Sequence, residues 1–308
     1  MFRRKKKILF FKDIEDFSKY KGYYCLIRIE GEKRGIFSYY LLFASEVAEC
    51  IQNGLIPIID LKNVKNEWNK GKEIGYNPWS LYYEPPVGLD IEDIDMESSQ
   101  IIIRDNIPAE NIRPCDSMEF LTNDIAVDYW RKFLKKYFVC TDKMQKFLDV
   151  RYKDTIAGKR VLGVLCRGTD YKILQPKEHP IQPEVSDMIN KVNEVVEEKG
   201  YTHIYLATED IEIEKKFQEA FGERLIVSKD MKIGYEAQEY LSTYMEQEKI
   251  DFESNTREYL ASMYILSKCN ALIAGRTSGS IAAFLMSEGY EYHYFYNLGR
   301  YKLNNYYL

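Results

Sequence analysis

At 308 residues the chain is long for one core, and its 45% hydrophobic and 30% charged content is that of a soluble globular protein with two ordinary domains, not a disordered chain. A formal net charge of only −5 argues against a general nucleic-acid binder.

The N-terminal MFRRKKKILFF has the charge of a signal peptide. Its apolar run, Ile8 to Phe11, is too short for the hydrophobic region such a peptide needs. Arg3 to Lys7 with Phe10 and Phe11 reads as a solvated tail with at most peripheral contact to an anionic membrane surface. No later segment reaches the length of a transmembrane span, so a cytoplasmic location is expected.

A strand is predicted from Tyr24 to Glu30, then the turn GEKRG and a helix from about Tyr39 to Gln52 with apolar residues on most faces. Gly54 ends that helix, and Leu55 to Leu61 reads as the next buried strand. This makes a βαβ unit. An irregular aromatic region follows through Pro86, in which Trp79, Tyr82 and Tyr83 are either core or platforms for sugar rings. Then come the acidic DIEDIDMESS, a strand QIIIRD, and amphipathic helices over Asp124 to Phe138 and Asp142 to Tyr152. The polar link KDTIAGKR separates the halves.

The second half alternates strand and helix more regularly. Strands are predicted at Val161 to Cys166, THIYLAT, RLIVS and NALIAG. Helices are predicted at Glu184 to Lys199, Ile213 to Phe221, Thr256 to Lys268, and from RTSGS through Met286. That alternation means a parallel, doubly wound sheet. The expected architecture is α/β, two facing Rossmann-like domains with a central cleft. Residues 1–155 would form an N-terminal acceptor-side domain and 156–290 a C-terminal nucleotide-sugar domain. The Tyr-rich tail, 291–308, would pack back across the link.

Six cysteines stand without a C-x-x-C pair, several in apolar runs as buried free thiols do, and three dispersed histidines offer no zinc constellation. Neither a P-loop nor a G-x-G-x-x-G fingerprint occurs. Asp93-Ile94-Asp95 matches a short metal-binding D-x-D, but it lies in an acidic loop and reads as a solvated face. No metal is predicted.

Three strand ends carry chemistry. In a parallel sheet they open on one edge, where ligands of doubly wound folds bind. Arg167 ends the strand VLGVLC, where it either caps the strand by pairing with a carboxylate or clamps a phosphate. Glu209 and Asp210 end the next; they suit ribose hydroxyls or the donor edge of a base, or simply favour their own helix. Arg276, Thr277, Ser278, Gly279 and Ser280 open the last helix, as an N-cap or as an anion site of free N–H groups and hydroxyls. Taken together they describe a nucleotide-diphosphate pocket.

The order of these motifs resembles the fucosyltransferase superfamily, which includes the α-1,6-fucosyltransferases, the rhizobial nodulation-factor enzymes and bacterial α-1,2-fucosyltransferases. Arg167-Gly168-Thr169-Asp170 with His179-Pro180-Ile181 is similar to its first motif, IYLATED to its second and SKCNALIAGRTSGS to its third. The resemblance implies a B-type glycosyltransferase fold, an inverting mechanism and no metal. GDP-fucose would be the donor substrate, with no other cofactor, and a glycan the acceptor, in surface polysaccharide or glycan synthesis. Arg167 would hold the donor phosphate, Arg276 to Ser280 the diphosphate, and Glu209 or Asp210 the nucleoside. Gly168, Thr169 and His179 would complete the donor site, Gly168 by letting the donor approach the backbone.

Three departures stand out. Leu165 occupies a position usually held by histidine, and Gly168 one often held by a second arginine. Gln175 stands where the α-1,6 enzymes place a catalytic glutamate. Glu178 and Asp170 are then the nearest acids able to act as base. The same departures leave open a catalytically degenerate nucleotide- or glycan-binding scaffold, or a transferase using another nucleotide sugar.

Overall fold

A computed structural model describes residues 23–31, 34–70, 72–97, 99–105, 114–168, 174–230 and 251–301. The basic N-terminal tail, Thr169 and Asp170 lie outside them. The chain divides into two compact units, Met1–Thr141 and Asp142–Leu308.

In the first unit, β1 (Tyr23–Ile27), β2 (Ile56–Ile59) and β3 (Gln100–Arg104) form a parallel sheet in the order β2-β1-β3. The helix between β1 and β2, α1 (Ile36–Gln52), is buried almost all round, as a helix without a polar stripe must be. Its ring surface carries the aromatic core. Tyr40 and Phe43 meet Trp79, Tyr83 and Phe138, and Trp79 stacks on Tyr83 at 4.6 Å. Trp79, Tyr82 and Tyr83 are each 1% exposed. They are core, not surface platforms for a sugar.

Two short helices, α2 (Met118–Leu121) and α3 (Asp124–Tyr137), complete the unit, capped by Ser117 and Asn123. The D-x-D stretch is a cap as well. Asp90 and Asp93 form a capping box around one 3₁₀ turn, and Asp95 accepts from the Glu97 N–H.

The second unit holds a five-stranded, all-parallel sheet: β4 (Val161–Leu165), β5 (His203–Ala207), β6 (Leu225–Val227), β7 (Ala271–Ala274) and β8 (Tyr292–Phe295), in the order β6-β5-β4-β7-β8. Helices α5 (Val185–Lys199) and α6 (Ile211–Phe221) bury Val192, Val196, Ile213 and Phe217 against Leu162, Val164, Ile204 and Ile273 of the sheet. Helix α7 (Phe252–Ser267) packs against α8 (Ser278–Met286) and against α4 (Asp142–Thr155).

Two features differ from the expected layout. Tyr292–Phe295, the start of the Tyr-rich end, is the edge strand β8 paired to β7. Helix α4 belongs with the second unit, so the division falls at Thr141/Asp142 rather than in the polar link. Polar side chains fasten it there: Arg151 pairs with Glu258, and the Tyr264 hydroxyl donates to Asp149 at 3.1 Å.

Candidate functional site

β4 is the central strand, and its neighbours are β5 and β7. Leu165 is in register with Ala207 on one side and Ala274 on the other. Counting two positions beyond each gives Arg167, Glu209 and Arg276, so strand register places these three in one row at the C-terminal edge of the sheet. The ladder continues past the strands, with Cys166 N–H on Ala207 O at 3.1 Å and Gly275 N–H on Leu165 O at 3.3 Å.

Arg167 Nε lies 3.3 Å from Glu209 Oε1, with side chains 16% and 10% exposed. The same oxygen accepts the Gly168 N–H at 3.1 Å. Glu209 thus pairs with the guanidinium by charge and holds the backbone that carries it by a hydrogen bond, and the arginine does have the carboxylate partner foreseen by its strand-capping reading. Low exposure strengthens the attraction within such a pair relative to one in water, against a larger desolvation cost for both charges.

Asp210 serves its own helix. Its Oδ1 accepts the N–H groups of Glu212 at 2.8 Å and Ile213 at 3.2 Å, the N-cap arrangement that starts α6. Gly168 is explained by the same residue, because a Cβ there would sit 2.8 Å from Asp210 Cβ and Cγ. A groove of about 680 Å³ opens beside Asp210, lined by Glu184, Ser186, Ile189, Glu212 and Lys216 among others.

The start of α8 divides its polar groups. Thr277 Oγ1 accepts the Ser280 N–H at 3.1 Å, and Ser280 Oγ accepts the Thr277 N–H at 2.9 Å, a reciprocal capping box. Both hydroxyls therefore serve the cap. Gly279 admits α7: a Cβ would run into the Tyr259 hydroxyl and meet Met263 Sδ at 3.1 Å. Among the described residues no hydrogen bond engages the N–H groups of Ser278 or Gly279, and Ser278 is half-buried. A helix N-terminus with two open donors attracts an anion.

Arg276 is 4% exposed and donates from Nη2 to Gly299 O at 3.2 Å. Glu178 and His179 sit on an exposed loop clasped by the C-terminal segment. Glu178 N–H donates to Tyr301 O at 3.0 Å, Tyr301 N–H to His179 O at 3.0 Å, and Arg300 Nη1 to Glu178 O. Gln175 and Glu178 both have left-handed backbone, φ 44° and 63°, a strain that side-chain-bearing residues adopt only where surroundings hold them. The Glu178 side chain is 78% exposed, with Lys177 Nζ at 3.8 Å.

Behind the edge, burial pushes the Tyr205 hydroxyl and the Cys269 thiol up, so both stay protonated and unreactive. Among the described residues no group of three His, Cys, Asp or Glu side chains is arranged to hold a metal ion, and no helix is long and apolar enough to cross a membrane.

The sequence reading missed Gln182. It is 3% exposed and its amide reaches from the Glu178 loop to the backbone of Arg276. Its flanking prolines mark a rigid segment, but nothing in the sequence names a partner 94 residues away.

Among solved structures, the chain is similar to NodZ α-1,6-fucosyltransferase co-crystallised with GDP, with a TM-score of 0.54 and 12% identity over 86% of this chain and 93% of that one. A structure of fucosyltransferase NodZ from Bradyrhizobium gives 0.49 and 13% identity over 86% and 93%. An Arabidopsis thaliana FUT1 mutant in complex with GDP gives 0.49 and 10% over 94% and 75%. No protein-family model matches the sequence, and no curated protein matches it either. At such low identity the likeness is one of fold: a mixed α/β chain with parallel sheets, similar in fold to NodZ.

Proposed function

We propose that the chain is an inverting, metal-independent glycosyltransferase that moves fucose from GDP-fucose to a hydroxyl of a glycan acceptor. One observation carries this reading. An arginine held by Glu209 and a helix N-terminus with two open N–H donors end neighbouring strands on one sheet edge, in a fold similar to that of an enzyme crystallised with GDP.

Such an edge suits a diphosphate leaving group. In single displacement the acceptor oxygen bonds to the anomeric carbon as the bond from that carbon to the β-phosphate oxygen breaks. Negative charge grows on the departing GDP. Arg167, Arg276 and the N–H groups of Ser278 and Gly279 are donors fixed in advance, and fixed donors stabilise developing charge without having to reorganise. Thr277 and Ser280 keep the cap in shape. The nucleoside lies towards Glu209, Asp210 and the groove beside them, with Thr169 and His179 as further donor-site residues. Glu178 or Asp170 takes the acceptor proton. The setting is surface polysaccharide or glycan assembly at the cytoplasmic side.

A binding scaffold without turnover is the second reading. It is favoured by Asp210 being engaged in a helix cap and by the exposure of the Glu178 carboxylate. Incubation with GDP-fucose separates the two. Release of GDP with formation of a fucosylated product or free fucose is the expected result. GDP binding with neither product would leave the scaffold.

A further inference from the structure

We propose that Gln182 is a positioning residue for the diphosphate site, setting the direction of the α8 N-terminal donors through one peptide plane. This rests on the nucleotide-site reading above.

The Gln182 Nε2 donates to Pro180 O at 3.0 Å and to Arg276 O at 3.3 Å. Two carbonyl acceptors leave no ambiguity about which end of the amide is nitrogen. Its Oε1 is buried without a hydrogen-bond donor and presses on Gly275, where a Cβ would collide with it and meet Cδ at 3.1 Å. A buried amide oxygen without a donor is costly, and an aliphatic side chain would fill the same space without that cost. What only the amide supplies is its grip on the two carbonyls.

The grip on Arg276 O matters because of what shares its peptide plane. In a trans peptide the C=O of one residue and the N–H of the next point in opposite directions. Fixing Arg276 O therefore fixes the Thr277 N–H, which donates to Ser280 Oγ at 2.9 Å as one arm of the capping box. That box orients the first turn of α8, and with it the open N–H groups of Ser278 and Gly279. The guanidinium of the same arginine is tied by Gly299 O, which also accepts the Ile181 N–H at 3.2 Å. Arg276 is thus held at backbone and side chain by the segments on either side of it. Gln182 acts at one remove from the anion.

The test is GDP titration by calorimetry on the full chain, with melting temperature as control, for wild type, Gln182→Met, Gly275→Ala and the double variant. Gln182→Met keeps the volume and removes both donations. Gly275→Ala displaces the amide with a single methyl and leaves Gln182 intact, which protects the test should Gln182→Met fail to fold. Each single variant is expected to weaken GDP binding roughly tenfold, the scale of one hydrogen bond. The double variant is expected to be no weaker than the worse single one, because both act on one contact. Lower melting temperatures with unchanged GDP affinity, or losses that multiply in the double variant, would overturn the proposal. A wild type that binds no GDP would instead take down the nucleotide-site reading, and this proposal with it.

Discussion

Each unit has a central strand that ends in an arginine paired with a carboxylate at the end of the neighbouring strand. In the first unit Arg28 and Asp60 stand one position beyond the registered pair Ile27 and Ile59. In the second, Arg167 and Glu209 stand two positions beyond Leu165 and Ala207. The surroundings separate them. Asp60 is 0% exposed and saturated, accepting Arg28 Nε at 2.6 Å, the Asn63 N–H at 3.1 Å and the Asn63 side-chain amide at 3.0 Å. Glu209 meets Arg167 at 3.3 Å, next to a strand whose following helix has open donors. A strand-end arginine is therefore not a site by itself. On the proposed reading, the Ser278 and Gly279 N–H groups, which no hydrogen bond engages among the described residues, make the difference.

Substitution of the two arginines should break this parallel. Arg167→Ala is expected to lower transfer by roughly 10²–10³-fold, the cost of removing one donor aimed at developing charge, together with a loss of stability, because the nearly buried Glu209 is left without its partner. Arg167→Lys should recover part of that, since an ammonium keeps the charge without the two-pronged geometry. An Arg167→Ala protein that is destabilised but turns over normally would put this arginine in the same class as Arg28.

Glu178→Gln is expected to slow transfer by about a hundredfold if its carboxylate takes the acceptor proton. A rate within about threefold of wild type would move that role to Asp170, since general-base loss is larger than this.

Arg28→Ala should act on stability alone. It leaves the buried Asp60 charge short of its partner, at a cost of about 2 kcal/mol. All three tryptophans, Trp68, Trp79 and Trp130, lie in the first unit, so their fluorescence in a denaturant titration reports that unit's unfolding. GDP affinity of the folded protein should stay at the wild-type value, and a tenfold loss would mean that the first unit's arginine also serves the ligand. The smallest effect expected is that of EDTA, which should leave transfer unchanged; a loss restored by Mn²⁺ would contradict the metal-free mechanism.

Much of the fold could be read from the sequence because its signals are local. Gly200 in left-handed conformation closes α5 where predicted, and the apolar runs of β4, β5 and β7 fall at the expected residues. The starts of α3 and α4 also fall where expected, whereas some others lie earlier than the apolar pattern indicates. Helix α6 begins at Ile211 because Asp210 caps it, and α7 at Phe252 because Asp251 does. The Asp210 case shows why site roles were harder to read: the same carboxylate can seat a ligand or start a helix, and only the bonds to Glu212 and Ile213 distinguish them. Gly168 had the same ambiguity, resolved by the proximity of Asp210. Strand β8 and the Gln182 contacts were out of reach, since an edge strand of Tyr, His and Phe has no turn or cap signal of its own and the amide's acceptor lies far along the chain.

On the proposed function, the edge of the second sheet binds a guanosine diphosphate. Thermal shift with GDP and with UDP tests it most directly, because a ligand that binds only the folded state raises the melting point by mass action, by about 2.7 kcal/mol of added stability at a hundred times Kd. A clear shift with GDP, little with UDP, and a shift much reduced in Arg167→Ala but kept in Arg28→Ala is the predicted result. No shift with GDP, or equal shifts with both nucleotides, would contradict it.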